Sequence, residues 1–281
     1  MSGSPEIPNV LWSYWESPSN RLPAIVETCR NSWAKAGKFA EIHALGPEDV
    51  FRFLRSKDLP RRFHELPPVR KADAVRLALL AQYGGFWADA GILVTAPVKS
   101  WVQPQVSDSG FFVFQDVDQS RIMDNWFIGS HHSSAFLQEL YRRHNEFFDQ
   151  KRIHEAHSLT KTPSKLATHS IVVIKKMLGP SVRSTAAWAK FPLSRLPMYP
   201  YFVMHYMANA MVGDPDLAED FASMTKVPAA KALALRKLVD RQKLSFDRAK
   251  MPSEAVPVHK LNTYRKYSQV ELEVLHQLVT P

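Results

Sequence analysis

The first patterned stretch is "IPNVLWSYW" (residues 7–15), where β-branched and aromatic positions crowd between Pro8 and a "SPSN" cluster, which predicts a strand. Apolar positions then recur at helical spacing: Ile25, Val26, Cys29 and Trp33 predict a helix over about 23–37. "FAEIHAL" (39–45) alternates as a second strand, and "GPEDVFRFL", with Pro47 in its first turn, predicts a second helix. After "LPPV" stops the chain, residues 70–83 form a helix closed by Gly84, and "FWADAGILV" predicts the next strand. Strands and helices that alternate in this way argue for an α/β domain with a mostly parallel central sheet flanked by helices.

Farther on, "GFFVFQ" (110–115) and "DNWFIGS" (124–130) predict strands, and "SSAFLQELYRRHNEFF" and "PSKLATHSIVVIKKML" predict helices. From Pro192 the pattern blurs. Met204, Met207 and Met211 have the helical spacing of a core stripe, while the aromatics around His205 and Asn209 in the same stretch suit an acceptor-side lining. The basic stretch 228–250 reads as a solvated helix packed by Leu233, Leu235, Leu238 and Leu244, against a membrane-surface role.

Composition narrows the classes. A chain of 281 residues, 45% hydrophobic, can bury a full core. A formal charge of +9 favours anionic partners: nucleic acid, phospholipid headgroups or a phosphorylated substrate. Nucleic acid rests on that charge alone, because RNP-like, zinc-finger and helix-turn-helix signatures are missing. Cys29 is the only cysteine and lies on an apolar helix face, which predicts a buried, inert thiol and no internal disulfide. With no signal-peptide pattern at the start, a cytoplasmic protein is expected. No apolar run is long enough to span a bilayer, so any membrane association is expected to be peripheral. The patterns GxGxxG, GxxxxGK[ST] and GxSxG are absent, and "HEAH" (154–157) spaces its histidines wrongly for a zincin.

Chemistry concentrates in "RKADAVRLALLAQYGG". Asp73 and Arg76 lie one turn apart in an otherwise apolar helix, either as a mutual structural salt bridge or as ligand contacts. The following strand places Asp89 near its carboxyl end, where open α/β sheets bind ligands. "QDVDQ" offers a second acidic pair, Asp116 and Asp118, without a preceding helix and Gly-Gly turn, and it reads as a polar hairpin loop. Asp124 is a further carboxylate without an assignment.

The stretch "KADAVRLALLAQYGGFWADAG" resembles the (S)DxxRxxxLxxxGGxYxDxD signature of GT-A glycosyltransferases, as carried by the capsular polysaccharide synthesis family, the yeast initiating mannosyltransferases and the clostridial glucosylating toxins. "IPNVLWSYW" is similar to their opening IPKxIHxxW strand, and "DNWFIGS" and "VPVHKL" resemble later blocks of the capsular family. The resemblance implies a GT-A fold in one domain over 1–281. About 7–130 would bind the nucleotide-sugar and about 131–281 would form the acceptor side and a C-terminal helical part. It implies transfer of a sugar from a nucleotide-diphosphate donor, a UDP-sugar, to a hydroxyl of a glycan acceptor, with Mn2+ or Mg2+ as cofactor.

Residue by residue, the resemblance gives Trp15 the nucleotide base, against a plain core role, Asp73 the ribose, and Arg76 the sugar or diphosphate. Asp89 matches the first acid of the DxD metal motif, whose second acid is Gly91 here. His259 would close the metal shell and Lys260 would offset diphosphate charge, against a surface His-Lys pair. Asp89 and Arg76 would serve catalysis, with Asp124, Asp116 or Asp118 as the base of an inverting reaction. Gly91 also motivates an alternative, a catalytically weakened nucleotide-sugar binder. On this reading Asp73→Ala and Arg76→Ala fold but lose donor binding.

Overall fold

The structure, a computed structural model, describes residues 5–17, 21–151, 153–154, 181–190, 198–240 and 256–279. In chain order the elements are β1 (Val10–Tyr14), α1 (Ala24–Ala36), β2 (Glu41–Leu45), α2 (Pro68–Tyr83), β3 (Gly85–Ala88), β4 (Ile92–Val94), α3 (Val98–Val102), β5 (Phe111–Asp118), β6 (Arg121–Ser130) and α4 (Ala135–Phe148). After them come β7 (Ile153–His154), α5 (Val182–Lys190), β8 (Met198–Tyr199), α6 (Val203–Met211), α7 (Pro215–Ser223), β9 (Val227–Pro228), α8 (Ala229–Ala232), α9 (Ala234–Asp240), β10 (Val258–Lys260) and α10 (Gln269–Val279).

The main sheet runs β2-β1-β3-β6-β5-β9. Strand β1 is parallel to β2 and β3, β9 is parallel to β5, and β6 alone runs against its neighbours, so three of the five pairings are parallel. Period-two alternation builds a core on each face. Leu11, Phe86, Ala88, Phe112 and Phe114 pack with Val26, Cys29 and Trp33 of α1. Trp12, Trp87, Phe111 and Val113 pack with Leu77 and Leu80 of α2 and Phe136 and Leu140 of α4. This is the α/β architecture expected from the alternating pattern. Cys29 is fully buried, and burial pushes its thiol far above the ordinary range, which leaves it inert.

Four stretches depart from the sequence pattern. Residues 47–52 form a 3-10 helix in place of an α-helix, because the Asp49 carboxylate turns back to accept the Gly46 N–H at 2.9 Å and holds a tight local turn. The predicted strand "FWADAGILV" breaks in two. The Ile92 N–H reaches the Asp89 carbonyl at 2.9 Å, and the chain turns out of the main sheet into β4, which pairs antiparallel with β10. The hairpin β5–β6 is longer than predicted, so Asp116 and Asp118 belong to β5 and the turn is Gln119 and Ser120. The basic stretch after Pro228 forms two short helices, α8 and α9, with its remainder at 241–250 outside the described residues.

Met204, Met207 and Met211 are buried in the core, which settles α6 as a packing helix on that face. The helix predicted over "PSKLATHSIVVIKKML" and most of "HEAH" lie outside the described residues. Among the described residues no helix is long and apolar enough to cross a membrane.

Candidate functional site

The chain leaves β1 for β2 on one side and then returns past β1 to β3 on the other, so the strand order reverses between β1 and β3. A crevice opens outside the carboxyl ends of two strands at such a point. Trp15 follows β1 there, and Asp89 follows β3. The Asp89 N–H donates to the Trp126 carbonyl at 2.9 Å, which fixes the residue against β6.

Helix α2 enters the same region with its charged face. Pro68 occupies its first turn, where no N–H is needed, and Gly84 ends it with φ +66. A side chain at Gly84 would also lie 2.8 Å from the Ser130 carbonyl oxygen. The helix therefore stops sharply and β3 starts at once, which sets Asp89 across from Arg76.

An ion-pair chain results. Arg70 Nη1 donates to Asp73 Oδ2 at 2.5 Å, Arg76 Nη1 to Asp73 Oδ1 at 2.6 Å, and Arg76 Nη2 to Asp89 Oδ1 at 2.8 Å. Trp87 Nε1 adds a bond to Asp89 Oδ1 at 3.0 Å, and the Arg76 guanidinium lies over the Trp87 ring at 4.8 Å. Lys260, brought in by the β4–β10 pairing, donates to Asp89 Oδ2 at 2.7 Å. Burial pushes the Asp89 carboxyl up, but Lys260 and Arg76 outweigh it and hold it below the usual range, so Asp89 stays ionised.

These contacts separate the two readings left open for α2. Asp73 is 2% exposed, and Asn125 Nδ2 shares its Oδ1 at 3.2 Å, so both carboxylate oxygens are spent inside the protein. A ribose would find no open oxygen there. Arg76 is 3% exposed and buried between two carboxylates. Asp89 and Lys260 are the charged members of the chain that keep access to solvent, with side chains 28% and 19% exposed. Trp15 is half-buried, and its buried Nε1–H has no acceptor among the described residues.

His259 is turned away from this group. Neighbours on a strand face opposite sides, so with Lys260 on Asp89 the His259 ring points the other way and lies 3.1 Å from Thr95 Oγ1. Burial brings its pKa down to about 4, so the ring is neutral near pH 7. Asp124 is also elsewhere: it is buried on β6, 3.4 Å from Arg121 Nη1 and 3.7 Å from His205 Nε2. Asp118 closes the hairpin, accepting from Ser120 N at 2.8 Å and Arg121 Nη2 at 2.6 Å, while Asp116 is exposed beside Lys226 at 3.5 Å.

Gly91 is explained by close approach. A Cβ there would meet Thr263 Cγ2 at 2.7 Å and the Leu261 carbonyl oxygen at 2.9 Å, and the Gly91 carbonyl accepts from Leu261 N at 2.8 Å. The chain after β10 lies where a second acid would project. The residues as they stand therefore do not fit the Mn2+ or Mg2+ that the DxD resemblance implies. Asp89 has cationic partners on both oxygens, His259 faces away, and no group of three His, Cys, Asp or Glu side chains is placed to hold a metal among the described residues.

The profile of the capsular polysaccharide synthesis protein family matches residues 2–178, more than half of the chain. The chain belongs to the capsular polysaccharide synthesis family. The matched region of this family member contains Trp15, Asp73, Arg76, Asp89 and Asp124, while Lys260 comes from beyond it. Among solved structures, the PaToxG glycosyltransferase is similar at a TM-score of 0.42 and 10% identity, over 97% of this chain and 86% of that one. No curated protein matches.

Three members of the ion-pair chain had no place in the sequence reasoning. Arg70 carried a visible signal, since Arg70, Asp73 and Arg76 repeat every third position in an apolar helix. Trp87 stands two positions before Asp89 on the same strand. Asn125 carried no signal, because only the pairing of β3 with β6 brings it to Asp73.

Proposed function

We propose that this protein is a glycosyltransferase that moves a sugar from a nucleotide-diphosphate donor, a UDP-sugar, to a hydroxyl of a glycan acceptor in polysaccharide synthesis. The observation that carries this reading is the ionised Asp89 with Lys260 beside it at the reversal between β1 and β3, in a chain of the capsular polysaccharide synthesis family. Trp15 leaves the neighbouring strand at the same end and offers an aromatic face to the base. Lys260 directs a partly exposed ammonium to where a diphosphate would lie.

Held there, the donor's anomeric carbon meets the acceptor hydroxyl, and most of the acceleration comes from placement and from countercharge on the departing diphosphate. Arg70, Asp73 and Arg76 do not touch the substrate; they hold Asp89 and, through it, Lys260.

A thermal-shift screen of UDP-, GDP- and dTDP-sugars, followed by mass spectrometry of the stabilising donor with and without glycan acceptors, tests the reading. Stabilisation with release of nucleoside diphosphate is expected. Stabilisation without turnover under any acceptor would leave a nucleotide-sugar binder. Stabilisation by nucleic acid and by no nucleotide sugar would overturn the reading.

A further inference from the structure

A nucleoside diphosphate that departs from a sugar carries growing negative charge, which a site must meet with a fixed cation or a bound metal. The charges around Asp89 already favour the anion. Among the described residues Arg70, Arg76 and Lys260 pair with two carboxylates, Asp73 and Asp89, so this connected group carries a net positive charge. The neighbouring His259 ring is neutral and changes nothing in that balance. A divalent cation approaching Asp89 would meet a guanidinium on one oxygen and an ammonium on the other, whereas a diphosphate would be attracted.

Geometry agrees with charge. At this turn the Asp89 and Gly91 carbonyls accept the Ile92 and Leu261 N–H groups, and the backbone at Leu261 fills the place of a second acid. Lys260 has three N–H donors, and the hydrogen bond it makes among the described residues uses one of them, on Asp89. Two donors remain on a partly exposed ammonium whose position is set by a 2.7 Å ion pair.

We propose, on the basis of the glycosyltransferase reading of this site, that Lys260 Nζ takes the place of a divalent cation and binds the donor diphosphate directly, with Asp89 and Arg76 as its positioning residues. In the transfer step the bond between the sugar's anomeric carbon and the diphosphate oxygen breaks, and its electron pair stays on the diphosphate. The acceptor oxygen forms the new bond to that carbon, and its proton passes to a carboxylate base. Lys260 keeps its own proton throughout and donates hydrogen bonds to the diphosphate oxygens as their charge grows.

Calorimetric titration of UDP, GDP and dTDP into metal-stripped protein, with EDTA and then with Mn2+, tests this on the wild type, Lys260→Met and Lys260→Arg. One diphosphate should bind the wild type in EDTA, and Mn2+ should leave its affinity within about twofold, since uncoupled sites have a factor near one. Lys260→Met should weaken that binding by about 10- to 100-fold, as loss of a charge-assisted hydrogen bond does, and Lys260→Arg should retain most of it. Binding that requires Mn2+, or an unchanged affinity in folded Lys260→Met, would overturn the role of Lys260 and leave the donor assignment standing. No binding of any of the three with or without Mn2+ would instead overturn the glycosyltransferase reading itself. If Lys260→Met does not fold, the comparison of EDTA and Mn2+ on the wild type decides alone.

Discussion

Two acidic stretches follow apolar strands in this chain: Asp89, Ala90 and Gly91 after β3, and Asp116, Val117 and Asp118 within β5. By spacing the second is the better match to a DxD motif, and by surroundings it is the poorer site. Asp118 spends its oxygens on Ser120 and Arg121 to close a two-residue turn, and Asp116 meets Lys226 at 3.5 Å in open solvent. Asp89 stands at the carboxyl end of β3, 28% exposed, with Lys260 at 2.7 Å and a buried chain of Arg76, Asp73 and Arg70 behind it. Each stretch has a carboxylate next to a lysine; only one has a core that fixes where the lysine points. The environment, and not the spacing of acids, is what favours Asp89 as the proposed site.

Substitution of the buried partner gives the largest contrast. Asp73→Ala leaves Arg70 and Arg76 facing each other inside the protein, at a cost of about 3–5 kcal/mol of unfolding free energy, whereas Asp118→Ala at the exposed hairpin should cost about 0–1 kcal/mol. Urea unfolding of the two variants measures both. This reverses the expectation from sequence that Asp73→Ala folds normally and loses only donor binding. Near-equal stabilities for the two variants would erase the distinction drawn here.

Acidification gives the next effect. His144 is fully buried beside the Asp73 chain, and burial brings its pKa down to about 4 from 6.5, as it does for His259. As the pH falls through 6.5 the unfolded chain takes up these protons first, and the native state follows only near 4. Stability should therefore be greatest above pH 6.5 and decline between 6.5 and 4. Asp89, held ionised by Lys260 and Arg76, contributes nothing to the loss in that window. Calorimetric melts at pH 7.5 and 5 should differ by several degrees, and His144→Phe, whose ring can keep the tilted contact that His144 makes with Phe148 at 4.8 Å, should flatten part of the slope. An unchanged slope in that variant would exclude His144 as a source.

Completion of the missing acid gives a smaller change. Gly91→Asp places a Cβ 2.9 Å from the Leu261 carbonyl oxygen, so the chain after β10 must shift, at about 1–3 kcal/mol. The variant should be less stable and still bind no Mn2+ by calorimetry in the absence of nucleotide. Tight Mn2+ binding would mean that Asp89 is free to act as a metal ligand.

The parts of this picture that follow a local period were legible in the sequence. Strand β1 came from its run of β-branched and aromatic residues, helix α2 with its glycine stop from helical spacing, and the strand that carries Asp89 from the apolar run after Gly84, each over a few residues. What was hidden depends on distant chain. A strand pattern through "FWADAGILV" cannot show that the chain leaves the sheet at Asp89, because the apolar residues on both sides are buried either way. Gly91 reads as a missing ligand until Leu261 is seen above it. Lys260 faces the site and His259 faces away because of one register, Leu93 opposite His259, that no local pattern encodes.

Hydrogen exchange of the wild-type protein with and without saturating UDP locates the donor without any substitution. The Ile92 and Leu261 amides close the Asp89 turn and tie it to the chain after β10, so exchange across residues 89–92 and 258–262 should slow on binding. Exchange across residues 116–120 should not change. Protection confined to the hairpin, with 89–92 and 258–262 unaffected, would place the donor at the second acidic stretch and contradict the assignment of Asp89 and Lys260.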